Sequence, residues 1–270
     1  MVKGTSQVFV AGPKVVEQAT GKTISKEELG DERIQLKNGV VMNLAETEAD
    51  AMSQIRQFLS YLPTNVWEKP PVTEPRDDPN RREESLLSVV PKDRRKIYEP
   101  RDVIHAVVDT KSFFEMAPYY GRARVIGLAR VNGIPCGIMA NHPKFNGGSM
   151  DIAAGEKTLR ILELCETFHL PLVYFADEPG FSVGPAQEKM GIVRAGARVV
   201  TTLARTQTPY ICFIMRQLYG VAGGLHQRGG AGLYRRYAWP STHGGSMHIC
   251  LLYTSPRPRD ATLARMPSSA

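Results

Sequence analysis

The stretch Tyr174-Phe175-Ala176-Asp177-Glu178-Pro179-Gly180-Phe181-Ser182-Val183-Gly184 reads as an apolar strand that ends in a turn and leads into a helix near Pro185. Ligands of α/β folds bind beyond strand carboxyl ends, where loops turn into helices. An ordinary turn with proline at one corner and glycine at positive φ has the same composition. A second stretch, Arg216-Gln217-Leu218-Tyr219-Gly220-Val221-Ala222-Gly223-Gly224, again runs from a strand end into glycine and then a helix. Small residues at a helix start let backbone N–H groups approach an anionic oxygen, and the helix dipole adds partial positive charge. An oxyanion hole is built this way, although a lone Gly-rich turn is weak evidence for one.

Side-chain chemistry is sparse. Ser182 lies in no GxSxG elbow, and Asp177 beside Glu178 reads as a pair of turn or helix-cap acids rather than a general acid/base couple. His243 and His248 are five apart, the wrong spacing for a zinc-binding helix pair, and no metal site is expected. Neither GxGxxG nor GxxxxGK[ST] occurs, which removes support for dinucleotide and P-loop readings. Cys136, Cys165, Cys212 and Cys250 are scattered, so reduced core thiols are expected rather than a disulfide framework. Chemistry performed by backbone donors leaves this kind of blank.

The elements that must position these stretches follow from periodicity. Val8–Ala11 reads as a short strand closed by Gly12-Pro13, and Glu46–Tyr61 as a helix whose Ala49, Met52, Ile55, Phe58 and Leu59 share one apolar face, stopped by Pro63. Residues 64–101 hold Pro70, Pro71, Pro75, Pro79, Pro91 and Pro100 among alternating charges, a composition suited to an extended connector at a domain boundary. Beyond it, Val125–Val131 and Ile134–Ala140 flank Asn132-Gly133, the dipeptide of a tight hairpin turn. Helix Glu156–His169, strand Pro171–Ala176, helix Glu188–Arg205, strand Pro209–Met215 and strand Leu233–Ala238 follow. This alternation predicts an α/β domain with its sheet covered on both faces. Cys250–Ala270 has no usable period and reads as a non-native tail, with a flexible native tail as the alternative.

The chain has 270 residues, 42% of them hydrophobic and 23% charged, which suits a packed fold of one large or two small domains. Its net charge of +7 concentrates late: residues 213–249 carry Arg216, Arg228, Arg235 and Arg236 and no acid. Such a region attracts a nucleotide-bearing cofactor, a carboxylate or an acidic partner, and nucleic-acid binding ranks last. No apolar run approaches a membrane span and the first residues lack a secretory signal, so no membrane association is expected and the location expected is cytoplasmic, or the mitochondrial matrix in a eukaryote.

Taken in order, Phe9-Val10-Ala11-Gly12-Pro13, Glu27-Glu28-Leu29-Gly30, Tyr61-Leu62-Pro63, Val107-Val108-Asp109, Phe113-Phe114-Glu115, Gly127–Gly133, Pro179-Gly180-Phe181, Gln187-Glu188, Tyr219-Gly220 and Ala238-Trp239-Pro240 carry a family resemblance. Across about Val8–His248 the chain resembles the carboxyltransferase (β) subunit of biotin-dependent acyl-CoA carboxylases, of the propionyl-CoA carboxylase β and methylmalonyl-CoA carboxytransferase type. The resemblance implies a crotonase-like fold of repeated strand-strand-helix units in two lobes, the first holding acyl-CoA and the second biotin. On that pattern residues 1–63 are the end of the first lobe, 64–101 the connector, and 102–249 most of the second lobe. It implies transfer of a carboxyl group from carboxybiotin to the α-carbon of an acyl-CoA, with biotin arriving on a partner carrier, a biotin carboxylase as further partner, and a homo-hexamer as assembly. A chain lacking most of the first lobe is expected to be inactive alone; a non-catalytic assembly fragment and another crotonase-like acyl-CoA enzyme are the alternatives.

Carried over residue by residue, the resemblance implies amide donors at Gly220, Val221 and Ala222, biotin contacts at Gly180, Phe181 and Gly184, and acyl selectivity at Gly224. Val221 stands where the family has glycine, so its Cβ must point away from the ligand or narrow the site. Gly224 stands where better-known members carry aspartate or isoleucine, which implies room for an acyl group longer than acetyl. Met42 replaces a histidine or aspartate, and Arg194 and Arg198 are assigned no chemistry.

Overall fold

The computed structural model describes residues 1–226 and 233–246, apart from Arg76, Pro79, Arg94 and Arg95. The proposed tail, Cys250 and His248 therefore lie outside the described residues. The first part is helical: α1 (Pro13–Thr20), α2 (Lys26–Gly30), α3 (Glu32–Gln35) and α4 (Glu48–Leu59). Then come α5 (Pro100–Val107), β1 (Phe114–Met116), β2 (Arg124–Val131), β3 (Ile134–Asn141), α6 (Ile152–Phe168) and β4 (Leu172–Glu178). The chain continues through α7 (Pro185–Met190), α8 (Ile192–Arg205), β5 (Tyr210–Tyr219), α9 (Gly220–Leu225), β6 (Tyr234–Ala238) and β7 (His243–Gly245).

The strands form one mixed sheet in the order β1-β2-β3-β4-β5-β6, with β7 also paired to β5. β1, β2 and β3 are antiparallel, and β3 through β6 run parallel. The expected hairpin is present: Asn132 and Gly133 have φ of 51° and 75°, the two positive values a tight primed turn needs. Asp109 accepts from the amides of both turn residues at 2.8 and 2.7 Å, which fixes the turn against α5's exit.

Period-two alternation sorts β4 between two apolar layers. Leu172, Tyr174 and Ala176 join Ile126, Leu128, Met139, Cys212 and Ile214 under α6 and α8. Val173 and Phe175 face the other way with Val125, Ile138, Ala140 and Met215, covered by α5 and by Leu86, Val89, Val90 and Tyr98. The sheet is thus covered on both faces, as expected. Among its described residues the Pro-rich stretch forms a 3-10 turn at Glu84–Leu87 before α5 begins, and it packs on the sheet instead of spanning solvent. Arg130 donates to the Pro71 carbonyl at 2.8 Å, and Arg81 to the Val108 carbonyl at 2.6 Å.

Three sequence expectations need correction, and one is completed. Val8–Ala11 is not a strand: Val8 donates one backbone bond to Gly30 at 2.9 Å and Val10 is fully exposed. The helix expected over Glu188–Arg205 breaks at Gly191 (φ 86°), giving α7 and α8. The apolar face of α4 is real but open: Met52, Ile55 and Leu59 are all at least half exposed. Ile55, Phe58 and Leu59, with Met42, Phe114 and Met116, line an apolar groove of about 380 Å³. Finally, β4 and β5 run past their expected ends, so Asp177, Glu178 and Arg216 lie inside strands. Cys136, Cys165 and Cys212 are buried free thiols, as read from sequence.

Candidate functional site

β4 and β5 are adjacent and parallel, so their carboxyl ends release two bends side by side. The first contains Pro179-Gly180-Phe181 and the second Tyr219-Gly220 at the start of α9. Gly180 has φ 126° and Gly220 φ 65°, values that side chains rarely adopt. A Cβ built on Gly220 would lie 4.0 Å from the Gly180 Cα, and one on Gly180 would lie 3.8 Å from the Tyr219 carbonyl oxygen. Sequence reasoning named both bends without a reason for them to meet; the parallel pairing of their strands supplies it.

Within α9 the side chains split by helical spacing. Ala222 is completely buried, whereas Val221 is 67% exposed, so its Cβ points to solvent rather than into the fold. Gly224, three residues on, is exposed, and a Cβ there would meet nothing within 4 Å. Tyr219 at the N-cap makes no side-chain cap.

The first bend is pinned from the side. Met150 and Phe181 form a parallel bridge: the Met150 amide donates to the Gly180 carbonyl and the Ser182 amide to the Met150 carbonyl, each at 2.9 Å. The hydroxyls of Ser149 and Ser182 are 2.9 Å apart. Phe181 is half-buried and its ring lies on α8 at Gly196, where an added Cβ would come within 2.9 Å of the ring edge. The tip of the ring is therefore turned onto the helix. Gly184 (φ 120°) caps α7 with nothing within 4 Å of its Cβ position. Arg194 and Arg198 are exposed on α8.

The expectation that Asp177 and Glu178 are turn or cap acids is overturned. Both are fully buried strand residues that point to opposite faces of the sheet, and each meets an arginine. Asp177 faces Arg216 (2.9 Å) and accepts from the Tyr98 hydroxyl at 3.1 Å, while Arg216 also donates to the Lys96 carbonyl. Glu178 faces Arg124 at 2.6 Å. Burial pushes both carboxyls above their ordinary range, against the pull of the guanidinium beside each. At the far end of α9, His226 is buried and receives the Tyr210 hydroxyl contact at its Nδ1, 2.7 Å away. Desolvation holds its pKa well below the usual imidazole value, so it is neutral. Arg124, Tyr98, Tyr210 and His226 were not singled out from sequence. The available signal was Arg124 placed directly before the uncharged run Val125–Ala129.

No helix among the described residues is long and apolar enough to cross a membrane. The carboxyl transferase domain family matches residues 1–248. The chain belongs to that family. It is 38% identical over 242 residues to the propionyl-CoA carboxylase carboxyltransferase subunit of Haloferax mediterranei, a match covering 89% of this chain and 47% of that protein. It is 37% identical over 246 residues to the human mitochondrial propionyl-CoA carboxylase β chain, covering 89% and 45% respectively. Among solved structures, the transcarboxylase 12S hexamer core, with methylmalonyl-coenzyme A and methylmalonic acid bound, superposes with a TM-score of 0.85 at 33% identity, over 92% of this chain and 48% of that one. A single-chain, multi-domain long-chain acyl-CoA carboxylase gives 0.80 at 30% identity, over 99% and 26%. The family resemblance and the crotonase-like α/β fold read from sequence are both borne out. The carboxyl transferase chain spans about half the length of the curated relatives it matches.

Proposed function

We propose that this chain supplies the biotin-facing side of a carboxyl transfer in which the carboxyl group of carboxybiotin passes to the α-carbon of an acyl-CoA of the propionyl kind. The observation that carries this reading is the meeting of the Gly180 and Gly220 bends at the ends of two neighbouring parallel strands. Biotin, when bound, supplies the ureido nitrogen that carries the carboxyl group and takes the α-proton. The chain's part is to present main-chain donors. The Val221 and Ala222 amides at the start of α9 face the charge that develops on oxygen during transfer, and Gly220 leaves the backbone accessible. Fixed dipoles of this kind need no reorganisation as charge appears, and no side-chain acid or base is required.

Gly180 and Gly184 let a bicyclic ring approach the backbone, and Phe181 contributes apolar surface while the tip of its ring packs on α8. Gly224, exposed with open space around it, is the position that bounds acyl length. In this reading residues 1–63 belong to the acyl-CoA lobe, 64–101 connect, and 102–249 form the biotin lobe. Biotin arrives on a carrier associated with a biotin carboxylase, and the assembly is a homo-hexamer in cytoplasm or mitochondrial matrix. Another crotonase-like chemistry is disfavoured by Glu178, the acid nearest the bends, because an ion pair with Arg124 occupies it.

Titration of the ¹⁵N-labelled chain with biocytin tests the reading. Amide shifts are expected at Gly180, Phe181, Gly184, Val221 and Ala222, with the Asn132-Gly133 turn unmoved. Saturating biocytin that leaves all five amides in place overturns it.

A further inference from the structure

Beneath the first bend lies a closed ring of four buried side chains. Arg124 Nη1 donates to the Tyr174 hydroxyl at 2.7 Å, and that hydroxyl donates to Asn141 Oδ1 at 2.5 Å. Asn141 Nδ2 donates to Glu178 Oε2 at 3.1 Å, and Arg124 Nη2 closes the ring on the same oxygen at 2.6 Å. All four residues are 1% exposed or less. They come from β2, β3 and β4, so the ring ties three strands together where β4 ends.

The ring reaches out through Asn141. Its Oδ1 also accepts from the Asp177 amide at 3.0 Å, and its Nδ2 donates to the Gly148 carbonyl at 2.8 Å. Gly148 opens the short segment whose Met150 is bridged to Phe181. The bend is thus held twice by one network: through Glu178, two residues before Gly180, and through Asn141, Gly148 and Met150 at its side.

Stability alone is a poor reason for such a device. Among the described residues Arg124 Nε has no hydrogen-bond partner, and buried ion pairs commonly contribute no more than well-packed apolar residues of similar volume. We propose that Arg124 and Glu178, with Tyr174 and Asn141, are positioning residues that set where the Gly180–Ser182 backbone stands relative to α9. The proposal rests on the reading of the two bends as the biotin site for its functional consequence, though not for its structural one.

Hydrogen exchange and biocytin titration on Glu178→Gln separate the two. The variant keeps the side-chain shape and removes the charge. The Met150 and Ser182 amides, which carry the bridge, are expected to exchange about tenfold faster, while Gly127 and Ile138 in the hairpin keep their rates. Biocytin affinity, read below the variant's own melting transition, is expected to fall about tenfold. If Glu178→Gln does not fold, the charge-free pair Arg124→Met/Glu178→Leu is read by the same measurements. Exchange at Met150 and Ser182 within twofold of the parent, or faster exchange spread equally into the hairpin, overturns the positioning role. Wild-type chain that binds no biocytin overturns the site reading instead, and the exchange arm still decides the positioning role.

Discussion

Gly220 lies against Gly180: a Cβ at position 220 would sit 4.0 Å from the Gly180 Cα and 3.8 Å from the Ser246 carbonyl oxygen. Both glycines are at positive φ, so a side chain at either meets backbone strain, while the space around it allows ordinary contact. Gly220→Ala is therefore expected to cost roughly 1–2 kcal/mol in stability from the left-handed conformation alone. It is also expected to weaken biocytin binding by about tenfold through displacement of the first α9 amides. Denaturant melts and the NMR titration measure the two effects separately; unchanged affinity sinks the idea that the gap receives biotin.

Gly224 tests acyl choice. An alanine there meets no atom within 4 Å and gains helix propensity, so Gly224→Ala is expected to be stabilising by about 0.5–1 kcal/mol. In the assembled carboxyltransferase, turnover with acetyl-, propionyl- and longer acyl-CoA is expected to favour the longer acyl groups. Gly224→Ile is expected to shift preference toward shorter ones. A parent enzyme that prefers acetyl-CoA contradicts the assignment.

Phe181 and Gly196 test whether the bend leans on α8. Because a Cβ at 196 would come within 2.9 Å of the Phe181 ring, Gly196→Ala is expected to destabilise by about 1–3 kcal/mol. The double variant with Phe181→Leu is expected to recover much of that loss, since the shorter side chain clears the methyl group. Additive losses in a thermodynamic cycle would show that the two do not touch.

Lys157 gives a pH signature. Its ammonium is buried in α6 with two carbonyl partners, Ala117 at 2.9 Å and Arg124 at 2.6 Å, and desolvation pushes its pKa down from 10.5 to about 7. Between those values the unfolded chain holds a proton that the folded chain does not. Stability from this group therefore rises with pH across that window, by up to about 1.4 kcal/mol per unit. Chemical denaturation of the parent and of Lys157→Met at pH 7 and pH 9 is expected to show the parent gaining about 2 kcal/mol relative to the variant. A pH-independent difference contradicts it.

Local signals carried much of this fold. Asn132-Gly133 announced its hairpin because two consecutive positive φ angles select those residues. Apolar runs marked β4 and β5, but charged residues hid their ends, since Asp177, Glu178 and Arg216 look like loop residues until their partners are known. Those partners lie 39 to 54 residues away, a distance that no local period reports. α4 was legible as a helix, while its open apolar face was not, because periodicity says which residues share a face and nothing about what covers it. For the site, the two bends were readable as glycine at strand ends, and their adjacency was not.

Asp177 and Glu178 also have a consequence for how the chain finds its alignment. Sliding β4 one residue forward would set Ala176 opposite Arg216; sliding it back would set Pro179 opposite Arg124. Either error strands a guanidinium in the interior without its carboxylate, at roughly 3–5 kcal/mol. Two neighbouring acids thus act as a molecular key whose teeth fit the sheet in one setting, and the bend that follows inherits its place from that fit.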